Sequence, residues 1–229
     1  MAIHYYVLKF LAPRLKGADV LSLGYPELLL EDGKAEELFS VKPHVYRNEK
    51  LSRRHGLNYA LPETVDLLSR VCKSFRCVDY VRAEGVEELA DLNYPQTLGQ
   101  YDVVIDPGTL EHCFNVGQAL VNAAQAVRPG GIVVHMNPST MMNHGFWNFC
   151  PTLYADFYTQ NGWEVERLEF VRFEPGKAFS ADVRLKAWQR CKVEPEFGIL
   201  CVAKRLKPGE MKYPVQRKYI ELYNHKAAA

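Results

Sequence analysis

Residues 100–138 read QYDVVIDPGTLEHCFNVGQALVNAAQAVRPGGIVVHMNP, and they constrain the fold more than any other stretch. Val103, Val104 and Ile105 form a continuous apolar run that stops at Asp106, as a strand buried on both faces does. Pro107-Gly108 is a turn signal, and Thr109 suits an N-cap. Leu110, Cys113, Gly117, Leu120, Ala124 and Val127 recur at three- and four-residue spacing, so the pattern predicts a helix with one apolar or small face. Glu111 falls in its first turn, where negative charge suits the helix dipole. Pro129-Gly130-Gly131 should end the helix, and Ile132, Val133 and Val134 should begin a second buried strand. Strand, helix and strand in this order give a parallel pair joined by a right-handed crossover. Asp106 then sits at the carboxyl end of its strand, where open α/β sheets bind ligands.

The rest of the chain extends that alternation. Residues 3–15 have apolar residues at helical spacing and predict a short helix against the sheet or over the site. Val20, Leu21 and Leu23 suit a first, central strand, closed by a turn at Gly24-Tyr25-Pro26. A helix is expected within residues 27–39, interrupted near Asp32-Gly33. Leu61-Pro62-Glu63 carries helix-start signals, and Val65, Leu68, Val71 and Cys72 supply an apolar face. Residues 75–81 predict the second strand, with Asp79 near its end, and residues 88–93 a short third one. After His135-Met136-Asn137-Pro138 comes a segment, 139–162, dense in aromatics, amides and methionine, which lies on the ligand side of such a sheet. It leads into a helix from Pro151-Thr152 to Asn161-Gly162. Residues 163–173 alternate as a sixth strand, 177–196 read as a polar excursion, and 198–204 as a seventh strand.

Three pieces of this pattern together resemble a known family. YDVV at 101–104, LEH at 110–112 and RPGG at 128–131 are similar to the fourth-to-fifth-strand segment of class I S-adenosylmethionine (SAM)-dependent methyltransferases. The resemblance spans most of residues 17–204. It implies an α/β fold with a seven-stranded, mostly parallel sheet of order 3-2-1-4-5-7-6, strand 7 antiparallel, and helices on both faces. It implies SAM as cofactor and methyl transfer to an oxygen or nitrogen of a small molecule, and the aromatic, amide-rich loop with the basic insertion points to a polar acceptor, sugar-like or anionic. By the same resemblance Gly24 and Tyr25 stand at the glycine-rich loop, where only Gly24 is retained and Ser22 replaces the usual acidic residue. Asp79 would meet the cofactor ribose, and Asp91 with the Leu92 N–H the adenine edge. Asp106, Gly108 and Thr109 would lie near its amino-acid end. A non-catalytic member, whose Tyr25-Pro26 turn no longer admits SAM and whose surface serves a partner, stays open as the alternative. A Rossmann dehydrogenase is disfavoured, because no G-x-G-x-x-G follows the first strand.

A hydroxyl acceptor needs a proton acceptor, and histidine is the natural one near neutral pH. His144, in the polar-aromatic loop, is the favoured base or substrate contact, with His135 and His112 as further candidates. None of the three has the spacing of a metal motif, so no metal site is expected.

A chain of 229 residues is long enough for one full core, and 1–226 read as a single domain. Residues 27–60 form an insertion or lid, with a basic run at 42–58 that suits either a solvated face or a cover over an anionic substrate. Residues 205–226 form a tail, and Ala227-Ala228-Ala229 resemble a cloning remnant. A formal charge of +1 gives no electrostatic case for nucleic acid or an anionic membrane. No apolar run reaches the roughly 18 residues of a membrane span, and no secretory h-region is seen. Six scattered cysteines without a C-x-x-C pair read as reduced thiols, which leads us to expect a cytoplasmic protein. A small-molecule acceptor is expected from the methyltransferase resemblance.

Overall fold

The computed structural model describes residues 2–47, 53, 56–174, 177–182 and 196–227. Lys50, Arg54 and His55 of the basic run, residues 183–195 of the polar excursion, and residues 228–229 lie outside the described residues.

Ten strands and six helices are described. They are β1 (Ala2–His4), α1 (Tyr5–Leu15), β2 (Asp19–Leu23), β3 (Glu27–Leu29), α2 (Lys34–Phe39), α3 (Thr64–Val71), β4 (Ser74–Asp79), β5 (Glu88–Leu89), β6 (Tyr101–Asp106), α4 (Val116–Gln125), β7 (Val127–Pro138), α5 (Pro151–Gln160), β8 (Trp163–Glu174), β9 (Lys177–Asp182), β10 (Gly198–Arg205) and α6 (Arg217–Ala227). The main sheet runs β5-β4-β2-β6-β7-β10-β8-β9. Its first five strands are parallel, and β10 is antiparallel to both β7 and β8. Numbered by order in the chain, the seven expected strands stand as 3-2-1-4-5-7-6. The sheet has eight strands rather than seven, because the start of the expected excursion pairs with β8 as β9. A separate two-stranded ribbon joins β1 to β3, so residues 27–29 are strand and not helix.

Alternation along the central strands builds a core on each face. Leu21, Leu23, Val104 and Val133 pack with Leu120, Ala124, Tyr154 and Phe157 from α4 and α5. Val20, Val103, Ile105 and Val134 pack with Leu8, Leu11, Leu67 and Leu68 from α1 and α3. Helices therefore cover both faces, as a parallel sheet requires. Glu63 caps α3 by accepting the Asp66 N–H at 2.6 Å. The tail is tied down: Lys212 and Val215 donate their N–H groups to Asn161 and Gln160, and Arg217 to Asp156.

Two expectations around the central crossover are corrected. Thr109 does not cap a long helix. Residues Leu110–His112 make one 3-10 turn, and α4 starts only at Val116, capped by Asn115, whose side chain accepts the Gln118 N–H. Pro129-Gly130-Gly131 does not separate helix from strand either. It lies inside β7 as a bulge, where the register against β6 shifts between Tyr101 and Val103. Gly130 takes φ +87°, and a Cβ on Gly131 would stand 2.7 Å from the Asp102 carbonyl oxygen. Both glycines are needed for backbone reasons that a helix end would equally satisfy. At this amino-terminal edge Arg128 bonds Asp19 and Asp102, each at 3.1 Å, and Lys73 bonds Asp19 at 2.9 Å. The hydrogen bonds from Lys73, Ser74 and Arg128 hold the Asp19 carboxyl down at about 2.

Gly131→Ala should destabilise the fold by about 1–3 kcal/mol, since the clashing atom is backbone and cannot rotate away. Urea unfolding followed by fluorescence measures it, and a variant equal to the parent would contradict the bulge geometry.

Candidate functional site

The carboxyl edge of the sheet gathers the polar residues that the core excludes. Asp106 ends β6 and is fully buried. Its Oδ1 accepts the N–H groups of Thr109 at 2.8 Å and Leu110 at 3.3 Å, which sets the 3-10 turn that follows. Its Oδ2 meets His135 Nδ1 at 2.8 Å and the Asn137 amide at 2.9 Å. His135 lies opposite Asp106 in the parallel register, so both face the same crevice end of the sheet. The second ring nitrogen of His135 lies 2.6 Å from the Tyr158 hydroxyl. A neutral imidazole protonated on Nδ1 satisfies both contacts, donating to Asp106 and accepting from Tyr158.

Glu111, in the 3-10 turn, is the second buried carboxylate, only 1% exposed. The Asn137 NH2 group reaches both, donating to Asp106 Oδ2 and to Glu111 Oε2 at 2.9 Å each. The Asn137 carbonyl oxygen accepts the Tyr154 hydroxyl, which fixes the amide orientation. Burial first, and the charge of Asp106 second, push the Glu111 carboxyl up to about 7. Among the described residues neither carboxylate is paired with a lysine or arginine, and their only ion-pair contacts are to His135 and His144.

The loop after β7 closes over this turn. Phe149 N–H returns to the Pro138 carbonyl at 2.7 Å. Phe146 and Trp147 donate their N–H groups to the Glu111 carbonyl, at 2.9 and 3.3 Å. A Cβ at Gly145 would lie 2.8 Å from that same oxygen, so only glycine allows the approach. The loop thereby brings His144 Nε2 to 3.5 Å from Glu111 Oε1. His112 stands beside it, ring centroids 5.7 Å apart. Burial, then the neighbouring His144, holds the His112 imidazole below its ordinary value. Glu111, His112 and His144 each offer a ligand atom within 4.8 Å of the others. This convergence was not expected from histidine spacing. Phe114, Met142, Phe146 and Trp147 form an exposed apolar rim, with Phe114 and Phe146 edge to face at 5.8 Å.

The structure separates the three expected histidines. His112 and His144 are exposed at the mouth, whereas His135 is enclosed with both nitrogens engaged. Asp106 is likewise saturated by internal partners. Across the edge, Asp79 ends β4 half-buried, and its Oδ1 accepts the Tyr80 N–H at 2.6 Å. Asp91, just after β5, accepts from the Asn93 backbone and side chain, and Leu92 is buried. Gly24 has φ +85°, and its N–H donates to the Val78 carbonyl at 2.6 Å. Tyr25 is buried, bonded to Glu63 and accepting the Thr64 N–H, with the Arg47 guanidinium 4.8 Å from its ring centroid. Burial, then Glu63, pushes the Tyr25 phenol up to about 12. Arg47 also bonds Glu84 at 2.6 Å, so this member of the basic run is occupied within the protein. Gly108, at φ +98°, and Thr109 lie between the two regions, and the Thr109 hydroxyl donates to the Leu23 carbonyl. Glu111, Asn137, Tyr154 and Tyr158 were missed in the sequence. They meet only through tertiary contacts between elements far apart in the chain.

Glu111 ties stability to pH. Its folded value of about 7 lies above the ordinary 4.5, so the folded state holds the extra proton. In buffer containing EDTA, stability should therefore be fullest below about 4.5 as far as this group is concerned, and fall by about 3 kcal/mol as pH rises from there through about 7. Glu111→Gln should flatten that fall in chemical-denaturation profiles, and an unchanged slope would place the titration elsewhere.

No protein-family model matches this chain, and no curated protein matches it in sequence. Among solved structures it is similar to TehB from Haemophilus influenzae, at 10% identity and TM-score 0.49, covering 87% of this chain and 62% of that one, so it spans less than two thirds of that protein. It is also similar to the N-methyltransferase NodS from Bradyrhizobium japonicum WM9, at 13% identity and TM-score 0.48, covering 89% and 94%. The YcgJ protein from Bacillus subtilis gives 9% identity and TM-score 0.48, covering 90% and 100%. The fold is identified by its own topology: β5-β4-β2-β6-β7-β10-β8, with β10 reversed, is the strand order of the class I SAM-dependent methyltransferases, and this chain has their fold.

Proposed function

We propose that the chain transfers a methyl group from SAM to an oxygen or nitrogen of a polar small molecule. One observation carries this reading. Strand order reverses between β2 and β6, the switch point where open α/β sheets bind ligands, and different chemistry stands on its two sides. On the β4–β5 side, Asp79 and Asp91 fit a nucleoside, one carboxylate for ribose hydroxyls and one for an exocyclic amine, with the Leu92 N–H beside them. Tyr80 and Tyr94 are exposed next to them and suit a purine face. On the β6–β7 side stand Glu111, His112, His144 and the aromatic rim.

When bound, SAM supplies an electrophilic methyl carbon on a sulfonium. The protein's part is to hold the adenosine, aim the acceptor and exclude water. His144 and His112 meet the acceptor's reacting group. Phe114, Phe146 and Trp147 pack on an apolar face such as that of a sugar ring. Arg47, taken up by Glu84 and Tyr25, speaks for a neutral acceptor over an anionic one.

A second reading has its own observation. The Gly24 N–H is already bonded to Val78, and Tyr25-Pro26 fills the turn, which favours a scaffold that no longer binds SAM. Calorimetry with SAM and S-adenosylhomocysteine separates the two. Micromolar binding of either supports the enzyme. No binding of either supports the scaffold. Asp79→Ala should weaken the affinity by about 1.5–3 kcal/mol, the range for a hydrogen bond to a charged group. Unchanged affinity in the folded variant would reject the placement of the ribose.

A further inference from the structure

We propose that Glu111, His112 and His144 form a binding site for a first-row divalent cation. The site stands on its own geometry. Only its catalytic use rests on the methyl-transfer reading.

The donor set is two imidazoles and one carboxylate, with solvent on the open side. That set suits first-row divalent metals such as Mn2+, Co2+ and Zn2+, and it leaves coordination positions for an exogenous oxygen. The three ligand atoms lie within 4.8 Å of one another, and the Glu111–His144 pair is already at 3.5 Å. Bonds of about 2.0–2.2 Å hold neighbouring ligands roughly 3–3.5 Å apart, so that pair needs no movement. His112 has only to swing inward, and both imidazoles are exposed.

Three further features point to a cation. Glu111 and Asp106 are two buried carboxylates, and among the described residues no lysine or arginine is paired with either. A divalent cation at Glu111 would set positive charge beside both carboxylates. Glu111 is held from behind, because Asn137 occupies Oε2 while Oε1 faces His144. Asn137 is itself fixed by Tyr154 and Asp106, the kind of outer support that orients a metal-binding carboxylate. Finally, His144 is delivered by backbone. The left-handed Asn143, the Cβ-free Gly145 and the Phe146 and Trp147 N–H bonds set the loop against Glu111 without using the imidazole.

With the cation seated, His144 is a ligand and not the proton acceptor. An acceptor hydroxyl takes an open coordination position, and the cation lowers its pKa. Its proton leaves to a water molecule, and the oxygen's lone pair forms a bond to the methyl carbon of SAM. The carbon–sulfur bond breaks, its electron pair stays on sulfur, and neutral S-adenosylhomocysteine departs with the methylated acceptor.

The test uses the full chain, stripped with EDTA and dialysed. Mn2+ is titrated while the free-ion EPR signal is followed, Co2+ while the visible spectrum is followed, and Zn2+ in a calorimeter. A single equivalent should bind, and His112→Ala and His144→Ala should each weaken binding roughly tenfold or more. Both residues are exposed, so these variants test the site without testing the core. No binding of any of the three metals at millimolar concentration overturns the site, as does equal binding by the folded variants. S-adenosylhomocysteine is titrated into the same samples. Its binding with no metal uptake defeats the cation site alone, and metal uptake with no S-adenosylhomocysteine binding defeats the methyltransferase reading alone.

Discussion

The Asn137 side chain lies between two carboxylates that burial alone would leave repelling each other. Its amide gives one hydrogen to Asp106 and one to Glu111, and its carbonyl receives Tyr154. A hydrogen-bond donor with two protons on one nitrogen is what two acceptors side by side require. The surrounding elements follow from that contact. β7 must carry Asn137 two residues beyond His135, α5 must bring up Tyr154 and Tyr158, and the 3-10 turn must bring Glu111 back over Asp106. A regular helix starting at Thr109 would replace the turn that Asp106 stabilises through the Thr109 and Leu110 N–H groups.

The two ends of the sheet handle charge in opposite ways. At the amino-terminal edge Asp19 is met by Lys73 and Arg128, and Arg128 also reaches Asp102, so charge is neutralised within the protein. Water screens those pairs and each contributes little alone. At the carboxyl edge, among the described residues, Asp106 and Glu111 are paired with histidines and neutral donors rather than with lysine or arginine. Low local polarity makes electrostatics count for more there. The two ends of the parallel sheet thus hold their carboxylates differently, one with lysine and arginine at the surface and the other with histidine and amide donors in the interior.

Much of the fold was legible because it is written in short-range patterns. Val103, Val104 and Ile105 read as a doubly buried strand, and they contribute to both cores. The order of the seven strands was legible only through the family resemblance. What misled were residues whose physics serves two structures. Gly130 and Gly131 satisfy a helix stop and a β-bulge alike, and Thr109 can cap a helix or, as here, bond the Leu23 carbonyl. The eighth strand was hidden because a polar edge strand looks like an excursion. In the site, the histidines at 112 and 144 were singled out by type, and their partner Glu111 was read only as a helix-dipole residue. Its burial depends on Asn137 and on the loop after β7, and no spacing in the chain encodes that meeting. His135 was open between core and catalyst, and the alternation of β7 turns it toward Asp106 and Tyr158.

The loop after β7 is fastened by Ser139 and Thr140 to the Phe197 carbonyl and Phe149 to Pro138 at its base, and by Phe146 and Trp147 to the Glu111 carbonyl along its flank. These fastenings use main-chain N–H groups, and the Trp147 indole N–H adds one more, to the Cys113 carbonyl. Side chains at its tip, Met142 and Phe146 among them, project into solvent and take no part in them. Such a loop works as a replaceable cassette: its outward residues can be exchanged to suit a different acceptor while the hub of β6, β7 and Glu111 beneath it keeps its shape.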